Sequence, residues 1–387
     1  MQFDNIYGAR LVIRILRFVG LWHLNDSTKS LYIAYSYILH LTISFPHTTM
    51  MWVDVVQISS LEKFSYVMYM ALTQLGMLAK VANVWLNSKL LMNFFDVLAN
   101  AEMLSLHSDA ERKLWSNAHR YFRRVVLAYV SMSLMALSIA FLSVLLKDEY
   151  ELPFPYAPPF DWHNERGYWL AYGYELLAMP VTCLSNCGID MIQCYMFLHL
   201  SLCYKMIAGR LKEMGKLKRQ LSLPNQFSET RLLEDLAAVM KLHERTKRRF
   251  KDCESFVSFS ILIQIMFSSF VLCFSAYRLQ KIRFLENPTQ FSVLILAVMV
   301  MTLQIFLPCY FGNEIILSSG ALNSAIYKAD WIQCSPKIRK YLIIYMEMLQ
   351  MPVKIRAGGF FEIGLPVFVK TINNTYSLMA LLLNMNK

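Results

Sequence analysis

Residues 291–317 read FSVLILAVMVMTLQIFLPCYFGNEIIL, with Glu314 as the single charged side chain. Crossing a bilayer takes about 20 mainly apolar residues. In hydrocarbon a helix satisfies its backbone polar groups within one such segment. The run therefore reads as a membrane-crossing helix. The same criterion finds six more candidates, at Leu31–Met51, Phe64–Trp85, Val125–Leu146, Tyr168–Leu202, Phe256–Tyr277 and Phe360–Leu383. The expected fold is all-α, with seven transmembrane helices. Several candidates exceed what a bilayer needs, which implies tilt or continuation beyond the membrane.

Composition agrees. The chain has 387 residues, of which 56% are hydrophobic and 17% charged, and a mean hydropathy of +0.37. A soluble domain carries roughly 25% charged residues. The net charge of +11 would suit a nucleic-acid partner. The basic residues instead sit in short loops between apolar runs, so the lipid bilayer is the implied partner and nucleic acid is not.

Their distribution sets an orientation. Segments 1–30, 88–124, 205–251 and 313–356 hold 29 of the 38 Lys and Arg residues. Segments 52–64, 147–167, 278–290 and the tail hold 7, and Lys80 and Lys370 fall inside spans. Basic loops stay in the cytoplasm. The N-terminus is thus expected inside and the C-terminus outside, an inverted seven-span topology. G-protein-coupled receptors place the N-terminus outside. Asp-Arg-Tyr after span three and Asn-Pro-x-x-Tyr in span seven are also lacking. Asn25-Asp26-Ser27 is a glycosylation sequon, expected unmodified because cytoplasmic.

The layout follows. Residues 1–30 form a cytoplasmic amphipathic segment, with Arg10, Arg14 and Arg17 on one face and Leu11, Ile15, Phe18 and Val19 on another. It reads as a short helix on the inner membrane surface, and the interrupting arginines exclude a secretory signal. Residues 31–204 hold spans one to four with an outer loop at 147–167. Residues 205–255 form cytoplasmic anchor helices, 256–317 hold spans five and six, 318–357 form a further cytoplasmic anchor helix, and 358–387 hold span seven. Leu232, Leu236, Val239 and Leu242 recur at helical spacing, as do Ile338, Leu342, Tyr345, Met346 and Leu349. Such faces need a partner surface, either one another in an assembly domain or the inner leaflet. The outer loop carries Pro153, Pro155, Pro158 and Pro159 among Phe154, Tyr156, Phe160 and Trp162, and reads as a stiff cap or rigid connector. None of the eight cysteines falls in an outer loop, and no zinc set is completed. Neither disulfides, metal nor cofactor is expected.

The last 90 residues carry an ordered series: Gln304, Pro308-Cys309, Gly312, Ser319, Ala325-x-Tyr327, Trp331, Arg339, Gln350-x-Pro352, Phe368 and Thr375-Tyr376-Ser377. This series resembles the C-terminal signature of insect odorant receptors. The LPFPYAPPFDW loop and Asp190 in span four, with His199 beyond it, are similar to features of that family. The resemblance implies a ligand-gated cation channel of the olfactory neuron dendrite's plasma membrane. In it, odour-tuned subunits join a shared co-receptor (Orco) in a heterotetramer whose seventh helices meet at a central pore. It also implies an outer-half pocket among helices two to six. A short second inner loop favours a tuning subunit.

A volatile is small and mainly apolar, so its pocket should be apolar and aromatic with a few orienting polar groups. With roughly ten heavy atoms at about 0.5 kcal/mol each, affinity is of order 0.1 mM. Depth and helical facing select Tyr66, Tyr69, Met70 and Thr73 in span two and Ser133, Ala136 and Ala140 in span three. In span four they select Tyr172, Leu176 and Met179, and in span six Phe291, Leu294 and Ile295. The aromatic lining favours a small aromatic or heterocyclic ligand. By resemblance, Met379, Leu382 and Leu383 should line the pore and gate by dewetting. Leu382 stands where the co-receptor's pattern has a glutamine, which bears on whether this subunit conducts alone. Lys370 and Glu362 either face an inner vestibule, or Lys370 snorkels or pairs with Glu362. Alternatives are a gustatory-type channel, a G-protein-coupled receptor, or a membrane enzyme or transporter. No HExxH or nucleotide loop supports an enzyme.

Overall fold

The computed structural model describes residues 5–22, 29–58, 61–99, 106, 108–147, 150–220, 225–282, 288–329 and 331–385. The Asn25 sequon lies outside the described residues. The chain is helical almost throughout. Its helices are α1 (Arg10–Phe18), α2 (Lys29–Leu39), α3 (Phe45–Gln57), α4 (Leu61–Leu86), α5 (Ser88–Ala99) and α6 (Asp109–Leu145). They continue as α7 (Glu165–Gln220), α8 (Asn225–Lys281), α9 (Pro288–Tyr327), α10 (Pro336–Met348) and α11 (Leu365–Met385). A π-helical turn at His40–Ser44 joins α2 to α3 just before Pro46. Proline offers no N–H to the ladder, and the wider turn accommodates that loss.

Helices α4, α6, α7, α8 and α9 are long and apolar enough to cross a membrane. The 56 residues of α7 and 57 of α8 are roughly 85 Å long at 1.5 Å per residue. A hydrocarbon core of about 30 Å covers well under half of that. The rest of each helix runs on without a break, so the amphipathic stretch at 232–242 continues a span rather than forming a separate segment. Leu236, Val239 and Leu242 are buried there, as are Ile338, Leu342 and Tyr345 of α10. His243 sits between the rings of Tyr204 and Tyr345, with centroids 6.1 and 5.6 Å away. Ser335 starts α10 by accepting from the Ile338 N–H, with Pro336 at the first helical position, where its missing N–H costs nothing.

The core sits on α7, which packs against α1, α4, α6, α8 and α9. Every residue from Ile189 to Tyr204 is buried. A helix covered all round belongs at the centre of a bundle. The N-terminal α1 is buried through Val12, Ile13 and Leu16, while Arg10, Arg14, Arg17 and Phe18 are exposed. Its apolar face therefore meets protein, not a lipid surface alone. Leu16 lies so close to Gly188 of α7 that a Cβ there would approach its side chain to 2.8 Å.

The expected start of span seven at 360 is corrected. Arg356–Ala357 and Phe361–Glu362 form an antiparallel hairpin, and α11 begins at Leu365. Gly358 and Gly359 turn it with φ of +59° and +77°, a left-handed region that L side chains resist. The hairpin is pinned to α8. Arg356 N–H donates to Glu254 Oε1 (2.9 Å), Ser258 Oγ donates to Arg356 O (3.1 Å), and Gly358 N–H donates to Ser258 Oγ (2.8 Å). Glu362 pairs with Lys354 at 2.8 Å, not with Lys370.

Candidate ligand cavity

A cavity of about 130 Å³ lies among α4, α6, α7 and α9, with Phe154 of the proline-rich loop completing the lining. Each helix offers one stripe at helical spacing. The stripes are Tyr69, Met70, Thr73, Gln74 and Met77 from α4, Tyr129, Ser133, Ala136 and Leu137 from α6, and Met179, Thr182, Cys183, Asn186 and Cys187 from α7. From α9 come Val293, Ala297, Val300, Met301 and Gln304. Helix α8, the fifth of the expected pocket helices, is not among them. It lines a separate space of about 30 Å³ behind Thr73, Met301 and Gln304.

Six of the expected residues meet at the cavity: Tyr69, Met70, Thr73, Ser133, Ala136 and Met179. The others do not line it. Tyr66 lies one turn beyond Met70, under the Arg278 guanidinium at 3.3 Å from the ring centroid, and donates to Pro153 O at 3.4 Å. Ala140 is buried one turn past Ala136. Tyr172 donates to Phe141 O at 3.2 Å and stands edge-on to that ring. Leu176 is 47% exposed. The inward side of α7 is centred on buried Glu175 and Met179, and each residue turns the helix by about 100°, which carries Leu176 outward. Leu294 is buried in neighbouring packing, and Phe291 and Ile295 are half-buried outside the lining. The α9 stripe runs through Val293 and Ala297 instead, a shift of one or two positions.

The proline-rich loop is packed. Phe154 and Tyr156 are buried, Tyr156 donates to Ala171 O at 2.8 Å, and Ala157 N–H donates to Met50 O at 3.3 Å. Phe154 meets Phe141 edge-on at 6.0 Å. The loop is thus a lid on the helix ends as well as a connector.

The other end of the cavity is polar. Gln304 Nε2 donates to Asn186 Oδ1 at 3.3 Å, and Lys80 Nζ donates to the same oxygen at 2.9 Å. Lys80 also pairs with Asp190 at 2.5 Å, with side-chain exposures of 2% and 0%. A charge so placed is tolerable only with a partner. His199 lies elsewhere, with Nε2 3.6 Å from Cys203 Sγ and its ring edge-on to Trp115. All eight cysteines are free. Sequence reasoning missed Gln74, Thr182 and Asn186, and read Gln304 only as part of the C-terminal series. Following the Met179 stripe inward by three and seven residues reaches Thr182 and Asn186.

Helix α11 packs against α8 and α9. Thr371 is buried and Thr375 Oγ1 reaches Ser269 O of α8 at 3.4 Å. Met379, Leu382 and Leu383 are half-covered on that same side. The exposed side carries Lys370, Asn373, Ser377, Ala380, Leu381 and Asn384. The open side mixes polar side chains with Val369, Tyr376 and Leu381, and the three expected residues lie at its margin.

Residues 60–376 match the family described as 7tm Odorant receptor. Odorant receptor 94a of Drosophila melanogaster is 38% identical over 99% of this chain and 98% of its own length. Odorant receptor 59a of the same species is 25% identical over 76% and 77%. The olfactory receptor OR5 of Machilis hrabei, solved in complex with eugenol, superposes with a TM-score of 0.85 over 97% of each chain at 17% identity. A second structure of the same receptor gives 0.82 over the same shares at 18% identity. The fold is therefore the seven-transmembrane helical fold, and the relatives are receptors rather than enzymes. With four-fifths of its length matched to the family, the chain is a multi-pass membrane protein that belongs to the 7tm odorant receptors.

Proposed function

We propose that this chain is the odour-binding subunit of a ligand-gated cation channel, with the four-helix cavity as its odorant site and α11 as its pore helix. The cavity carries the reading. At about 130 Å³ it is close to the roughly 150 Å³ apolar space known to hold benzene. Its walls are mostly methionine, alanine, valine and aromatic side chains. Eugenol in the Machilis receptor, a small aromatic volatile in the same fold, supports a ligand of that kind.

The Lys and Arg bias supports a cytoplasmic N-terminus and an extracellular C-terminus. The proline-rich lid then faces outside, at the plasma membrane of the olfactory dendrite. The basic halves of α7 and α8, with α10, form the cytoplasmic anchor. The polar stripe of Asn373, Ser377 and Asn384 on α11 faces the conduction path, where it meets the corresponding helices of the co-receptor Orco in a heterotetramer. Odorant binding shifts a closed–open equilibrium by its differential affinity for the two states. About 2–3 kcal/mol from one weak ligand is a roughly 30–150-fold change.

The test is current recording from cells expressing the chain with Orco, exposed to a panel of small volatiles. Odour-evoked current is expected, and Ala136→Trp, which fills the cavity, should remove it while surface labelling stays unchanged. No current with any volatile would overturn the channel reading. Full responses in Ala136→Trp would overturn the site.

A further inference from the structure

The wall of the cavity holds a hydrogen-bond acceptor without a partner. Gln74 lines it from α4 and is 6% exposed. Its Nε2 donates to Thr182 Oγ1 at 3.1 Å and lies 3.5 Å from Met179 Sδ. The Thr182 hydroxyl gives its own proton to Met179 O at 3.1 Å. The Thr182 oxygen must therefore accept from Gln74, which fixes the orientation of the carboxamide. Gln74 Oε1 is left buried without a partner. A buried carbonyl in that state is costly and gains most from a new donor.

Among the neighbouring groups, the Thr73 and Ser133 hydroxyls and the Asn186 oxygen are already engaged. Thr73 Oγ1 donates to Tyr69 O at 2.7 Å. Ser133 Oγ donates to Tyr129 O at 2.9 Å and receives the Cys187 thiol at 3.5 Å. Asn186 Oδ1 is taken by Lys80 and Gln304. The terminal torsion of glutamine is soft, so a small rotation brings Oε1 toward a ligand, and Nε2 turns with it at its 3.1 Å bond to Thr182.

We propose that Gln74 accepts a hydrogen bond from the hydroxyl group of the odorant, so that the chain selects small alcohols and phenols. The inference rests on the cavity being the odorant site. The volume limits the apolar body to about one six-membered ring. An ether, ester or ketone of the same shape brings only lone pairs. Its oxygen would face Oε1 with no proton between them, which is repulsive. A site with a buried group for a ligand hydroxyl rejects the analogue that lacks it far more strongly than an apolar wall does.

The experiment uses matched pairs on cells expressing the chain with Orco: phenol and anisole, 4-methylphenol and 4-methylanisole, cyclohexanol and cyclohexanone. In the native chain the hydroxyl member should act at a concentration about 10-fold lower or better. Gln74→Met, of similar volume without the acceptor, should bring each pair to within about twofold of one another while surface labelling stays unchanged. The native ranking needs no variant, so equal potency, preference for the ether or ketone, or silence toward every hydroxyl probe overturns the proposal. An undiminished preference in Gln74→Met, in a receptor silenced by Ala136→Trp, overturns this inference and leaves the cavity assignment standing. Undiminished responses in Ala136→Trp remove both.

Discussion

Replacing Asp190 with asparagine removes the charge opposite Lys80 without changing the shape of the site. The two side chains are 2.5 Å apart and essentially fully buried, and they join α4 to α7 next to the cavity. Lys80 would keep only neutral acceptors, the carboxamide oxygen at position 190 and Asn186 Oδ1, which is already shared with Gln304. Breaking a buried pair by removing one partner costs about 3–5 kcal/mol, because the surviving charge stays uncompensated. At about 2.1 cal/mol/K of unfolding entropy per residue, 387 residues give about 0.8 kcal/mol/K. Asp190→Asn should therefore lower the melting temperature of the detergent-solubilised protein by about 4–6 °C. Replacing both partners, Lys80→Met with Asp190→Leu, removes both desolvation costs and should recover most of that loss. Thermal unfolding followed by fluorescence-detected gel filtration measures all three. A shift below about 1 °C for Asp190→Asn, or a double variant no more stable than the single, would show that the pair is not the dry ion pair described here.

Gly358→Ala puts a Cβ at a positive-φ position and about 2.5 Å from Leu262 Cδ2. It should cost roughly 1–3 kcal/mol and loosen the hairpin from α8, whereas Gly359→Ala, with open space around it, should cost only the backbone strain. Thermal unfolding of both variants gives the comparison. His243, between Tyr204 and Tyr345, has its pKa lowered, mainly by burial and then by the nearby Lys247 charge, with Glu244 opposing. The unfolded chain takes up its proton first as pH falls below about 6.5. The contribution of the neutral ring to stability is thus full above that pH and declines beneath it. His243→Phe should flatten the fall in melting temperature between pH 7.5 and 5.5, and an unchanged slope would rule this out.

The apolar runs of α4, α6, α7, α8 and α9 and the amphipathic faces near 236 and 342 were legible because each is a pattern along one helix. The proline-rich lid was legible from its composition. What escaped depends on how helices meet. Lys80 stands in an apolar run as an obvious anomaly, yet its partner lies 110 positions away on α7, and no periodicity links them. Gln74 resembles any polar residue in a moderately apolar helix until Thr182 is placed opposite. On α9 the apolar residues are so continuous that no face stands out. Phe291, Leu294 and Ile295 were as plausible as Val293 and Ala297, and only packing against α6 and α7 decides. The hairpin at 356–362 is too short to show a strand pattern, although the Gly358-Gly359 pair marked a break.

Helix α11 shows the same limit, because its open side in one chain mixes polar and apolar residues. In water, apolar side chains seek the core and polar ones face out. A reading of Met379, Leu382 and Leu383 as the pore assumed that the gate would be greasy. Packed against α8 and α9, the helix half-covers these and leaves Asn373, Ser377 and Asn384 uncovered beside Val369, Tyr376 and Leu381. Hydrocarbon has no use for such a stripe, since an unpaired amide there costs several kcal/mol. The stripe is stable only if it meets water or other polar helices. A single chain in lipid supplies neither, and the proposed central channel shared with neighbouring subunits would supply both.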